Sequence, residues 1–98
     1  MDTIVLDGEA MTSRDAAHDH LALRLGLPDH YGRNLDALYD CLTERSSDTR
    51  LALRHVPAME AALGDYAKAL LDTLLDAAGD NPRLQVEILL GDGKPCNI

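Results

Sequence analysis

The sequence predicts an α/β domain, a three-stranded parallel sheet packed against about four helices in the order β-α-α-β-α-α-β. Three observations carry this. Short β-prone runs stand near the two ends, Thr3–Leu6 and Leu84–Leu90. Between them, leucine and alanine recur at helical spacing in stretches separated by glycine and proline. Each connection between strands contains helices, as a parallel pairing with right-handed crossovers requires.

The elements follow in order. Thr3-Ile4-Val5-Leu6 closes on Asp7-Gly8 and reads as a buried strand ending in a turn. Thr12 with Asp15 three residues later resembles a capping box, and Ala17, Leu21 and Leu25 share one face before Gly26 and Pro28, which places a helix at about 13–25. After the turn 27–33, Asn34 is a good N-cap for a second helix whose Leu35, Leu38 and Leu42 share a face and which ends near Thr43. A polar loop, 44–49, leads to Leu51-Ala52-Leu53, the weakest strand signal and one whose composition also suits a helix. Pro57 fits the first turn of a short helix ending at Gly64. Asp65 then caps a longer helix with Ala67, Leu70, Leu71, Leu74, Leu75 and Ala78 inward, stopped by Gly79 and Pro82. Leu84–Leu90 alternates at first and then turns continuously apolar, as a central or half-covered strand does. Residues 1–90 are expected to form the domain and 91–98 a turn-rich tail.

Composition narrows the function. The chain has 98 residues, 46% hydrophobic and 27% charged, which fits one ordinary globular domain rather than a disordered or disulfide-rich chain. With no Trp or Phe, its core must be aliphatic. The formal net charge of −8 makes nucleic acid an unfavourable partner and a basic surface a favourable one. The first residues have no basic n-region and no long apolar run, so a cytoplasmic protein without membrane contact is expected. Cys41 and Cys96 lack CxxC spacing and support neither a zinc ribbon nor a disulfide framework.

The informative stretch is 29–42. On a helix, Asp36, Asp40 and Glu44 stack at i, i+4 and i+8, opposite the leucine face. Such like-charge pairs oppose the helix by about 0.2–0.5 kcal/mol each, and Asp40 sits toward the end where the macrodipole is unfavourable. A chain this rich in Asp places some on solvated faces for no functional reason. The alternative is a recognition stripe for a basic partner, flanked by His30, Tyr31 and Tyr39 as interface anchors. Tyr39 is equally well placed for the core, beside Leu38 and Leu42. Gly32 reads as a tight turn with close backbone approach.

Tyr31-Gly-Arg-Asn-Leu-Asp-Ala-Leu-Tyr-Asp-Cys-Leu42 resembles the signature of the barstar family, small intracellular inhibitors of secreted ribonucleases such as barnase. The element order and the Leu27-Pro28 turn agree with that pattern to about Leu90. The resemblance implies inhibition by plugging: the second helix and the loop before it enter the ribonuclease active site, where their carboxylates occupy phosphate positions in a 1:1 complex with a monomeric inhibitor. No enzymatic activity and no cofactor are implied. Carried onto matching positions, Asp36 and Asp40 pair with Arg and Lys of the enzyme, with Asp40 the strongest contact. Tyr31, Gly32, Asn34 and Leu35 pack around them, and Asp76 supplies a further carboxylate from the fourth helix. His30 and Tyr39 stand where barstar has Tyr and Trp, Arg33 reverses a Glu at the rim, and the loop 43–49 lacks a Gly-Trp-Val contact.

Other classes fit less well. Asp36 and Asp40 have the spacing of an acid/base pair but no opposite wall from the same segment, and no Ser/His/Asp or Cys/His grouping presents itself. His18 and His20 are two apart on a helix and cannot chelate together; His30 near Asp36 is the remaining metal candidate. His55 reads as a strand-end residue and Cys41 as a small core residue. A generic acidic module for a basic partner that is not a nuclease keeps the same fold.

Overall fold

A computed structural model of the chain describes residues 2–89. Three strands, β1 (Asp2–Asp7), β2 (Thr49–Arg54) and β3 (Leu84–Ile88), form one sheet in the order β1-β2-β3, and both pairings are parallel. The helices are α1 (Arg14–Leu25), α2 (Leu35–Thr43), α3 (Val56–Leu63) and α4 (Asp65–Asp80). The expected class and order are therefore observed. A 3-10 turn, Gly8–Ala10, precedes α1 without any periodic pattern to announce it. The expected strand residue Leu90 and the 91–98 tail, with Cys96, lie outside the described residues.

The weakest strand in the sequence is the central one. Leu51 and Leu53 are fully buried, in register with Ile4 and Leu6 on one side and with Val86 and Ile88 on the other. Two ladders and a buried face override the helical bias of leucine and alanine. The opposite face is polar, and Arg50 reaches Glu87 at 3.8 Å across it. The core joins Leu6, Leu51 and Leu53 to Leu21 of α1, Leu38 and Leu42 of α2, Met59 of α3, and Leu70 and Leu74 of α4. No helix among the described residues is long and apolar enough to cross a membrane.

Local details depart from expectation at the helix ends. Ser13, not Thr12, caps α1, its Oγ accepting from the Ala16 N–H at 3.1 Å. Gly64 precedes α4 and Asp65 is its first residue, so no side chain caps that end. Gly79 does not stop α4, which runs on to Asp80 because packing outweighs the propensity cost of one glycine, about 1 kcal/mol. Leu75, expected inward, is 47% exposed, since the buried stripe follows Ala67, Leu70, Leu74 and Ala77. At Gly8 a Cβ would lie 2.3 Å from the His55 carbonyl oxygen, so only glycine lets this turn cross the end of β2. His55 is more than a strand end: it holds a left-handed φ of 55° before α3, with Nε2 3.4 Å from a Glu9 carboxylate oxygen.

The open edge of β1 is covered from α1. The Arg24 Nε donates to the Val5 carbonyl at 3.0 Å, and the His20 Nε2 accepts from the Asp7 N–H at 2.9 Å. That acceptor exists only while His20 is unprotonated, and burial, aided by Arg24, holds its pKa below the usual 6.5. His18 is shifted the same way, by burial and then by Arg33. A folded-state pKa below the unfolded value means that the unfolded chain takes up the proton first, so stability is fully present above the unfolded pKa and falls with pH below it. Urea unfolding should therefore show stability declining between about pH 7 and pH 5.5, and a His18→Gln/His20→Gln variant should show a flatter profile in that window. In the core, Leu53→Ala should cost about 2–5 kcal/mol, read as a lower urea midpoint with unchanged slope.

Candidate partner-binding site

α2 is built to present one face. Asn34, in extended conformation, caps it by accepting the Ala37 N–H on Oδ1 at 2.7 Å. Leu38 and Leu42 are fully buried, while Asp36, Asp40 and Glu44 are exposed on the other side. The far end is tied down by buried Asn81, whose Nδ2 donates to the carbonyls of Leu42 at 2.9 Å and Arg45 at 3.1 Å. Through this residue the chain leaving α4 takes up carbonyls that the end of α2 cannot satisfy itself.

α4 adds a second acidic row that the sequence reading found only in part. Asp72, Asp76 and Asp80 repeat at i, i+4 and i+8, and all three are exposed. The signal was the same spacing that marked Asp36, Asp40 and Glu44. Tyr39 lies between the rows. Its ring packs against the core, and its hydroxyl donates to the Asp80 carboxylate. That hydrogen bond raises the Tyr39 pKa, with smaller contributions from burial and the charges of Asp80, Asp76 and Asp40, so the hydroxyl stays a neutral donor. Of the two roles considered for Tyr39, the core position is seen in its ring, while its oxygen lies among carboxylates.

The loop before α2 is less exposed than the anchor reading requires. Tyr31 is only 8% exposed, and its hydroxyl meets the His18 Nδ1 at 2.6 Å. Burial also pushes its pKa far above the usual phenolic value. As a surface anchor Tyr31 is therefore corrected to a buried residue that holds the loop from beneath. Nor does the turn use Gly32 for its special backbone. The left-handed residue is Arg33, at φ 56°, a conformation that costs a non-glycine residue about 1–2 kcal/mol. Arg33 is not a free rim charge either, because Nη1 pairs with Asp19 at 2.5 Å and Nη2 donates to the Asp15 carbonyl at 3.1 Å.

Of the hollows that border α2, two reach the acidic stripe at Asp36 or Asp40. One, of about 230 Å³, brings together His30, Gly32, Asp40, Glu44 and Cys41 over the Tyr31 ring. The other, of about 430 Å³, holds Asn34, Leu35 and Asp36 beside Arg14, Arg33 and Tyr66. Asp76 belongs to neither, and its charge is among those that raise the Tyr39 pKa. Cys41 is half-buried at the edge of the core, and burial, with the charges of Glu44 and Asp40, raises its pKa and keeps it a thiol. His30 and Asp36 line different hollows and do not form a metal site together. Among the described residues, one group of three side chains is spaced to hold an ion, Asp7, Glu9 and His55 at the ends of β1 and β2.

The acidic rows have no internal counter-charge among the described residues, a state they share with exposed Asp2, Asp29, Glu60 and Asp65. Among the described residues, none of Asp36, Asp40, Glu44, Asp72 and Asp76 is in an ion pair, while Arg33, Arg50 and Arg83 are each matched to a carboxylate elsewhere. Arg24 and Arg45 bond to backbone carbonyls, and the Arg14 guanidinium lies 4.4 Å from the centre of the Tyr66 ring. Fold and surface together define a small α/β domain with an unpaired acidic face on two adjacent helices.

Comparison with known proteins agrees. Residues 1–90 match the family model described as Barstar (barnase inhibitor). The chain is also 38% identical over 78 residues to a Bacillus subtilis (strain 168) protein named "Putative ribonuclease inhibitor YrdF", an alignment covering 79% of this chain and 86% of that relative. The chain belongs to the barstar family.

Two substitutions test how the site is built. Asn81→Ala removes the donor to two carbonyls and should destabilise the fold by about 1–3 kcal/mol in urea unfolding. Asp40→Asn, by contrast, relieves like-charge repulsion along α2 and should raise the stability of the free protein by about 0.2–0.5 kcal/mol.

Proposed function

We propose that this protein inhibits a ribonuclease by seating α2 and the loop before it in the basic active site of that enzyme. The observation that carries the reading is the row Asp36, Asp40, Glu44, in no ion pair among the described residues, beside Asp76 and Asp80, while Arg33, Arg50 and Arg83 are matched to carboxylates elsewhere. A ribonuclease binds RNA phosphates with Arg, Lys and His, and carboxylates fixed on rigid helices can take the same positions. Asp40 stands at the edge of one hollow and Asp36 at the other, so a cationic surface seated on α2 meets both. His30, Gly32, Asn34, Leu35 and Glu44 border the contact, and Tyr39 and Asp76 extend it onto α4. No bond is made or broken, so the protein acts as a ligand and not as an enzyme. Family membership and the name of the relative from Bacillus subtilis support the same reading.

Electrostatics then divides the work. The surplus of negative charge attracts a basic enzyme over a distance and speeds encounter, an effect that salt screens within about 10 Å at 0.1 M. Slow release comes from carboxylates desolvated against the enzyme's cations. Removing one partner of such a pair costs about 2–5 kcal/mol, a general range for which barnase and barstar are themselves the standard example.

A barnase-type ribonuclease titrated with this protein, with RNA cleavage followed at low and moderate salt, should be inhibited stoichiometrically at one to one. Asp40→Ala should weaken inhibition by about 30-fold or more, and added salt should slow association. Equal inhibition by Asp40→Ala would sink the proposed role of that residue. Tight binding to a basic protein without loss of ribonuclease activity would point instead to an acidic module with a different partner.

A further inference from the structure

We propose that His18 is a positioning residue for the partner-binding loop: by bridging the hydroxyls of Tyr31 and Tyr66 it holds residues 30–33 in the geometry the partner meets. This rests on the ribonuclease-inhibitor reading for what the loop contacts, though not for how the loop is held. His18 is only 3% exposed, at the floor of the hollow that also holds Asn34, Leu35 and Asp36, and it makes no hydrogen bond to a carboxylate. Its two ring nitrogens are both used, Nδ1 at 2.6 Å from the Tyr31 oxygen and Nε2 at 2.7 Å from the Tyr66 oxygen. A neutral imidazole has one donor and one acceptor, so one tyrosine donates to the ring and the other accepts from it. The bridge therefore links three separate parts of the chain: α1, the loop before α2, and the first turn of α4.

The same face of α1 supplies the other tether. Asp15, His18 and Asp19 lie at i, i+3 and i+4, and the outer two hold Arg33 through the Asp15 carbonyl and the Asp19 carboxylate. Arg33 is the left-handed residue of the loop, a conformation that relaxes unless something holds it. Tyr31 and Arg33 are thus fixed from one helix, with Gly32 between them and His30 and Asn34 on either side. A loop already ordered in its bound shape loses less entropy on association, so its tethers act on affinity without touching the partner.

Neutral substitutions separate this role from electrostatics and from bulk stability. In the free protein, the Tyr31 amide donates to the Pro28 carbonyl at 2.9 Å and reports on loop opening through hydrogen exchange. His18→Gln, whose amide mimics Nε2 and reaches Tyr66 alone, should speed Tyr31 amide exchange by about five- to tenfold, whereas the core substitution Leu53→Ala, which lowers stability without touching the loop, should leave it unchanged. Dissociation from a barnase-type ribonuclease should quicken by a similar factor. His18→Asn, whose amide mimics Nδ1 and keeps the bond to Tyr31, should recover both. A Tyr31 amide that speeds as much in Leu53→Ala as in His18→Gln, or a looser loop with an unchanged dissociation rate, would overturn the positioning role. A wild-type protein that binds no such ribonuclease would overturn the inhibitor reading and with it the partner half of the inference; the exchange measurement needs no partner and tells the two failures apart.

Discussion

The apolar seam between α2 and α4 sets the terms for everything on the outer surface. Leu38 and Leu42 of α2 are fully buried, as are Leu70, Leu74 and Ala77 of α4. Burying one leucine is worth about 1.5–3 kcal/mol, whereas a like-charge pair one turn apart costs about 0.2–0.5 kcal/mol. The seam therefore wins, and the helices lie together although each carries aspartate every fourth residue. Because the two apolar stripes face inward, the two acidic rows are carried outward side by side. With no Trp or Phe in the chain, Tyr31 is the one aromatic side chain in the described core cluster, and the rest of it is aliphatic apart from Met11 and Met59.

Repulsion on that face is not dispersed within the molecule. Asp40 and Asp80 stand toward the C-terminal ends of their helices, where the macrodipole is unfavourable to negative charge, and the end of each helix has no basic residue in its last turn. One contact softens the crowding: Tyr39 places its hydroxyl proton on Asp80. The remaining charges of the face are not compensated by an ion pair among the described residues.

The positions at which this chain departs from the family pattern acquire structural reasons. Arg33, where the resemblance expects an acidic residue, is held by the Asp19 carboxylate and the Asp15 carbonyl of α1. Tyr39 in place of a larger aromatic keeps a ring against the core and gains a hydroxyl among carboxylates. His30 keeps an exposed place beside Asp40 and Glu44. These changes alter the border of the face and how it is held, while the stripe Asp36, Asp40, Glu44 is undisturbed.

Periodicity alone determined the class, the order of elements and the stripe on α2, because each depends on spacing within a few turns of chain. The same arithmetic could have marked Asp72, Asp76 and Asp80, of which only Asp76 was expected, and that from the family resemblance. Only tertiary structure decided that Leu51–Leu53 is the central strand, since its helix-prone residues extend through ladders to two distant strands. Likewise, Tyr31 and His18 are thirteen residues apart and His18 and Tyr66 forty-eight, and nothing local could reveal that they meet. The left-handed turn at Arg33 instead of Gly32 was hidden for the same reason, because the contacts that hold it come from another helix. Local pattern sets which side chains face outward together on one helix; packing between distant segments sets which of them are buried, tethered or left unpaired.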